Sequence, residues 1–181
     1  MPRQVKQAEC IQTKRLKLKS YRNSDREQLI ELLTNAEIAK TFMVPEFTSE
    51  KQIQDLAGKL IAFSKTEDLT HLEYGIYFND TLIGFINDCG IEDEEIEIGY
   101  VIHPDYKGQG YATEAVSAAI QDLFRMGFQK ITAGYFEENI ASLRVMEKCG
   151  MRQIAKCDTE EYRGVNHICR YCEITNSPQQ V

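Results

Sequence analysis

Leucine alternates with lysine and arginine through TKRLKLKSY (13–21), the pattern of a strand with one buried face. The period then lengthens. Ser24-Asp-Arg-Glu27 reads as a capping box opening a helix that carries Leu29, Ile30, Leu32 and Leu33, and Ser49-Glu-Lys-Gln52 reads as a second one ahead of Ile53, Leu56, Leu60, Ile61 and Phe63. Between them FMVPEFTS (42–49) is an apolar loop containing a proline. A period of two returns in HLEYGIYF (71–78) and TLIGFIND (81–88), which an Asn79-Asp80 turn joins into a hairpin. In EEIEIGYVI (94–102) the alternation is strict, with Ile96, Ile98, Tyr100 and Ile102 on one face and Glu95, Glu97 and Gly99 on the other. The strongest helical stripe follows, in Ala112, Ala115, Val116, Ala119, Ile120, Leu123 and Phe124, with Gly127 as its C-cap. KITAGYF (130–136) is a strand, NIASLRVMEKC (139–149) a helix closed by Gly150, and MRQIAK and HICRYCEI supply the last strands. The order β-α-α-β-β-β-α-β-α-β-β predicts an α/β domain with a mixed sheet covered by helices, spanning 1–181 with loose tails at 1–10 and 175–181.

Composition narrows the class. The chain of 181 residues is 43% hydrophobic and 27% charged, ordinary for a globular protein, and carries a formal charge of -7. No basic stripe is present for a phosphate backbone, so nucleic acid is not an expected partner, whereas an amine suits the sign of the charge. No membrane association and a cytoplasmic location are expected, since the first ten residues hold no apolar core and no run approaches membrane-spanning length. Six cysteines then stay reduced. Cys169 and Cys172 have zinc-like spacing without a second pair, and in a strand they point to opposite faces, so no metal site is expected.

One stretch asks for a ligand. In DYKGQGYATEA (105–115) Gly108, Gly110 and Ala112 leave a turn almost bare between a strand and a helix start. Unpaired N–H groups, the partial positive charge of a helix N-terminus and missing Cβ atoms together make an anion site suited to phosphate. The dinucleotide fingerprint fails, because Thr113 holds its third glycine position and the preceding strands form a meander. No Gly-Lys-Ser or Gly-Lys-Thr follows the turn.

KGQGYA (107–112) resembles the R/Q-x-x-G-x-G/A signature of the GNAT acetyltransferases, with Lys107 where that signature has Arg or Gln. TKRLKLKSY, EIGYVIHPDYKGQGYATEA and NIASLRVMEKCGM are similar, in order and spacing, to the branch that includes the ribosomal-protein alanine and serine N-acetyltransferases. The resemblance covers roughly residues 11 to 174. It implies a mostly antiparallel central sheet, splayed at a cofactor cleft between strands 94–102 and 130–136, with helices on both faces. It further implies that backbone near Val101 and Ile102 pairs with the pantetheine arm of acetyl-CoA. The N–H groups from Lys107 through Gly108, Gln109, Gly110, Tyr111 and Ala112 to Thr113 would hold its pyrophosphate. By the same analogy, the loop FMVPEFT and the two N-terminal helices wall the acceptor pocket.

Acetyl transfer to an amine requires loss of an amine proton and protonation of the leaving thiolate. Asn139 and Ser142 stand three apart on one helix face, and Asn139 is also a natural N-cap. The resemblance places Asn139 on the pantetheine arm and makes Ser142 the proton donor to the thiolate. Glu97, on the strand bordering the cleft, is the candidate base, acting through a water; Tyr135 is a second candidate acid. No Ser/His/Asp arrangement is suggested by the three histidines. The reading is an acetyl-CoA-dependent N-acetyltransferase, monomer or homodimer, attacking the thioester directly with a primary amine from a protein N-terminus or a small molecule. The alternatives are a catalytically silent acetyl-CoA-binding module and, on the glycine turn alone, a nucleotide-dependent enzyme.

Overall fold

The computed structural model describes residues 6–67 and 70–177. Eight strands form one sheet in the order β1-β2-β3-β4-β5-β6-β8-β7. They are β1 (Cys10–Gln12), β2 (Leu16–Lys19), β3 (Glu73–Phe78), β4 (Thr81–Glu92), β5 (Glu95–Ile102), β6 (Lys130–Phe136), β7 (Arg152–Tyr162) and β8 (Val165–Thr175). Five α-helices lie among the described residues: α1 (Arg26–Thr34), α2 (Ala36–Ala39), α3 (Glu50–Phe63), α4 (Tyr111–Arg125) and α5 (Ile140–Lys148). Every neighbouring pair of strands is antiparallel except β5 and β6.

The two faces of the sheet bury different residues. Leu16, Leu18, Ile76, Ile83, Ile96 and Ile98 pack with Ala115, Val116, Ala119 and Leu123 of α4. Tyr77, Leu82, Phe85 and Val101 pack with Leu29, Leu32 and Leu33 of α1 and Ala57 and Ile61 of α3. The alternation in β5 therefore holds at Ile96 and Ile98, both about 1% exposed. Cys169 and Cys172 are both buried and belong to different clusters, as opposite faces of one strand require.

Several local expectations need correction. The strand expected over 13–21 is present as β2, and the chain before it adds an unexpected partner, β1. Cys10 is therefore part of the sheet, and the Ala8 N–H donates to Asp122 Oδ2 at 3.0 Å, so residues 6–10 are not a loose tail. At the other end Thr175 still belongs to β8 and the Asn176 N–H bonds Gln129 O at 2.9 Å. The remainder of the two expected tails, 1–5 and 178–181, lies outside the described residues.

The capping box at Ser24 does not form. The Asp25 carboxylate instead accepts the Arg22 N–H at 2.7 Å, with the Arg22 guanidinium and Tyr77 Oη also on it, because a shared carboxylate binds three donors where a serine binds one. Ser49 does cap α3, accepting from the Gln52 N–H at 3.3 Å. Asn79 and Asp80 both take positive φ (47° and 63°), as the two-residue hairpin requires. β7 runs ten residues beyond Arg152, where MRQIAK covered only its start. Its pairing with β8 shifts between Gln153 and Cys157, which breaks the period that would have announced it.

Candidate active site

The site begins where β5 and β6 part. They pair only from Glu95↔Lys130 to Ile98↔Ala133. Beyond that, Gly99 to Ile102 remain bonded to β4, and Gly134 to Phe136 to β8. The two strands thus bound a fork, and the β6-facing edge of Gly99–Ile102 has no strand partner. A cavity of about 710 Å³ fills the fork.

At one end of it stands the bare turn. Gly108 (φ 75°) and Gly110 (φ 80°) take left-handed conformations that a side chain disfavours. Gly110 caps α4 without a side-chain bond, and the first intrahelical bond runs from the Glu114 N–H to Gly110 O at 3.0 Å. The N–H groups of Tyr111, Ala112 and Thr113 precede that bond and are the helix's unpaired donors. Lys107 departs from expectation in one respect: its N–H is already donated to Pro104 O at 3.2 Å. Gln109 is exposed and outside the cavity wall, and its carbonyl accepts from Arg15 Nη1 at 2.9 Å. Val101, Ile102, Lys107, Gly108, Gly110, Tyr111, Ala112, Thr113, Asn139, Ser142 and Glu97 all line the cavity.

Arg15 was not legible as a site residue. Its Nε pairs with Glu114 Oε2 at 2.7 Å, its guanidinium lies 4.5 Å from the centre of the Tyr111 ring, and Thr13 Oγ1 donates to Glu114 Oε1 at 2.6 Å. The link between β1 and β2 thereby braces the bare turn across 94 to 101 positions of sequence, with no local pattern to signal it.

On α5, Asn139 is the N-cap: its Oδ1 accepts the Ser142 N–H at 3.2 Å. Ser142 Oγ lies 2.7 Å from Tyr100 Oη, which also donates to the Ser142 carbonyl at 3.0 Å. Burial raises the Tyr100 phenol, and its bond to Ser142 pulls the other way. A neutral phenol beside the serine is thus a second proton-bearing group. The sequence assigned Tyr100 to strand packing, and its strict alternation with Ile98 and Ile102 concealed this contact. Tyr135, the other candidate acid, lines the cavity as well; it is 6% exposed and its hydroxyl accepts from Gln153 Nε2 of β7 at 2.9 Å.

Glu97 faces the other side of the sheet from Tyr100, as odd and even positions of a strand must. Its carboxylate lies 3.9 Å from Lys156 Nζ, and Lys156 in turn sits 3.9 Å from the centre of the Tyr171 ring. Ile38, Thr41, Phe42 and Met43 close this side of the cavity. Phe47, read with them from sequence, packs into the α1–α3 core instead. Tyr162, at the tip of the β7–β8 hairpin, holds the wall: its Oη donates to Phe42 O at 3.3 Å and accepts the Val44 N–H at 3.4 Å. Among the described residues no group of three or more His, Cys, Asp or Glu is placed to hold a metal ion, and no helix is long and apolar enough to cross a membrane.

Comparison with known proteins meets this geometry from the outside. The acetyltransferase (GNAT) domain family matches residues 15–152. A Bacillus subtilis protein named the uncharacterized N-acetyltransferase YnaD is 31% identical over 153 residues, covering 79% of this chain and 82% of that one. Among solved structures, a GNAT-family acetyltransferase from Bacillus anthracis superposes with a TM-score of 0.77 at 25% identity, over 92% of this chain and 98% of the other. A ribosomal L7/L12 alpha-N-protein acetyltransferase, solved with coenzyme A, superposes with a TM-score of 0.82 at 19% identity, over the same shares, a likeness of fold. With the family spanning the fork, the bare turn and α5 in one stretch, this chain belongs to the GNAT acetyltransferases.

Proposed function

We propose that the chain transfers the acetyl group of acetyl-CoA to a primary amine by direct attack on the thioester. One observation carries this reading: the fork opens to both faces of the sheet, with Ser142 and Tyr100 on one and Glu97 on the other. Proton removal and proton delivery are thereby kept apart, on either side of the slot where the thioester would lie.

The residues present fit acetyl-CoA. The unpaired N–H groups at the start of α4, with the Lys107 cation beside them, suit a pyrophosphate. The open edge of β5 suits the amides of a pantetheine arm, which would add as a strand does. Acetyl-CoA supplies the activated acyl group. Glu97 takes a proton from the amine, directly or through one water, so that the nitrogen attacks uncharged. Ser142 gives its proton to the departing thiolate, Tyr100, 2.7 Å away, gives its own to Ser142, and water reprotonates the phenolate as the cleft empties. The net -7 charge favours encounter with a cationic acceptor.

The test is calorimetric titration with acetyl-CoA, with NAD as control, followed by a mass-spectrometric screen of amines and peptide N-termini. Saturable acetyl-CoA binding and a mass gain of one acetyl group are expected. Binding without turnover of any amine would leave the silent module. Preference for NAD would return the glycine turn to a nucleotide enzyme.

A further inference from the structure

Among the described residues one buried side-chain polar atom has no hydrogen-bond partner, Oδ1 of Asn87. Asn87 pairs with Gly99 across the β4–β5 ladder and belongs to the cavity wall. A Cβ on Gly99 would stand 3.0 Å from that oxygen, 2.8 Å from Phe42 Cε2 and 3.1 Å from Cys89 Sγ. The bare Gly99 is therefore what makes room for the carboxamide at the cleft floor, under the edge of Phe42. An unpaired buried oxygen is costly, and folded proteins retain few of them.

The surroundings say what would pair with it. Glu97 is two positions from Gly99 and so on the same face, whereas Asp88, paired with Ile98, faces the other way and accepts the Leu72 N–H at 2.7 Å. Glu97 is an acceptor; so is the orphan oxygen. Lys156, the cation beside Glu97, lies 3.9 Å from both Glu97 and Asp158 and is neutralised between them. Phe42, Phe136 and Tyr171 add aromatic wall beside it. A ligand that satisfies this face brings several N–H donors, a positive charge and an apolar body. A carboxylate next to the nitrogen would meet the Glu97 carboxylate, while the cations that line the cavity, Lys107, Arg144 and Lys148, belong to the bare turn and to α5.

We infer that Asn87 Oδ1 is an acceptor-binding group that takes one N–H of a primary amine while Glu97 takes another. The substrate class is a primary amine with an apolar or aromatic group near the nitrogen and no adjacent free carboxylate. Small amines and the first residue of a peptide share this chemistry. Phe42 covers the oxygen until the amine arrives, and it lies in the irregular stretch between α2 and α3, where a ring shifts without breaking a helix or strand. The inference rests on the acceptor side assigned above.

Its test is calorimetry on the protein saturated with coenzyme A, using 2-phenylethylamine, the tripeptide amide Phe-Gly-Gly-NH2 and free phenylalanine. At least one of the first two binds saturably, the tighter of them separating a small amine from a peptide N-terminus, and free phenylalanine does not bind. Asn87→Leu, similar in shape but without the oxygen, weakens that binding at least about tenfold, as loss of a buried hydrogen-bond partner should. Asn87→Asp, which keeps an oxygen there, does not weaken it, and Asn87→Ala replaces the leucine variant if the latter misfolds. Asn87→Leu also melts no lower than the parent, which a purely structural asparagine would not allow. Equal amine affinity with and without the oxygen, or no binding of either amine by protein that holds coenzyme A, overturns the inference. Failure to bind coenzyme A, in the same titrations, instead overturns the acetyltransferase reading.

Discussion

At Gly110 a φ of 80° and an open N-terminus of α4 coincide, so any side chain there is strained before it meets a ligand. Gly110→Glu adds a negative charge to the same place. It is expected to weaken acetyl-CoA binding by roughly two orders of magnitude, as like charges held together do. Calorimetry beside a circular-dichroism check of folding reads it, and unchanged affinity would remove the turn from the site. Ser142 makes the complementary case. Ser142→Ala leaves Asn139 Oδ1 its backbone partner, since the 3.2 Å bond is to the Ser142 N–H. Turnover should fall roughly a hundredfold while acetyl-CoA affinity holds, the signature of a proton donor. Equal losses would make Ser142 a binding residue. Both positions were legible in sequence because glycine and an N-x-x-S helix start declare themselves locally. Tyr100, Asn87 and Arg15 were not, since what marks each is a partner elsewhere: Ser142, an empty hydrogen-bond position over Gly99, and Glu114.

Among the elements, β3 carries a titratable group that the chemistry does not use. Glu73 is 3% exposed, and Tyr21 Oη donates to its Oε2 at 2.8 Å. Burial pushes its carboxyl up to about 8, against the pull of Tyr21 and with the help of the Asp88 charge. In the unfolded chain the same carboxyl titrates near 4.5. Between those values the folded state holds a proton that the unfolded state has lost, so stability is full below about 4.5 and declines as pH rises toward about 8. Melting temperature should drop by several degrees across that window, and Glu73→Gln should flatten the fall. Parallel melting curves for the two proteins would contradict this. Element identity itself was mostly legible, because α4 and β5 repeat their periods cleanly. The misses fell where geometry overrode pattern: Asp25 displaced the expected serine cap with a three-donor carboxylate, and the irregular pairing near Cys157 hid the length of β7.

For the molecule as a whole, the acceptor wall depends on one long-range tie. Tyr162 reaches residues 42–44 from 118 and 120 positions away, with Arg163 Nε donating to its oxygen at 2.8 Å. Tyr162→Phe removes those bonds and keeps the ring. The amine KM should rise roughly threefold to tenfold, the worth of a hydrogen bond or two, with acetyl-CoA affinity unchanged. No change in KM would mean the loop holds its place without the tie. Sequence alone offers nothing of this contact, since neither FMVPEFT nor EEYRGVN carries a mark of the other. The fold was legible through its resemblance to a family, while the composition of the acceptor wall was not, because loops and hairpin tips come together only in three dimensions.

The parting of β5 from β6 has a mechanical side. Five strands stand to one side of it and three to the other, all antiparallel within their block, and four residue pairs join the blocks within the sheet. Load that a continuous sheet would spread along a full ladder is concentrated on that short seam. A molecule lying in the fork and bonded to both lips would extend the seam, so occupancy and stiffness would rise together. Amide exchange at Glu95–Ile98 and Lys130–Ala133 then becomes a gauge of whether the cleft is filled, readable on protein whose acceptor is still unidentified.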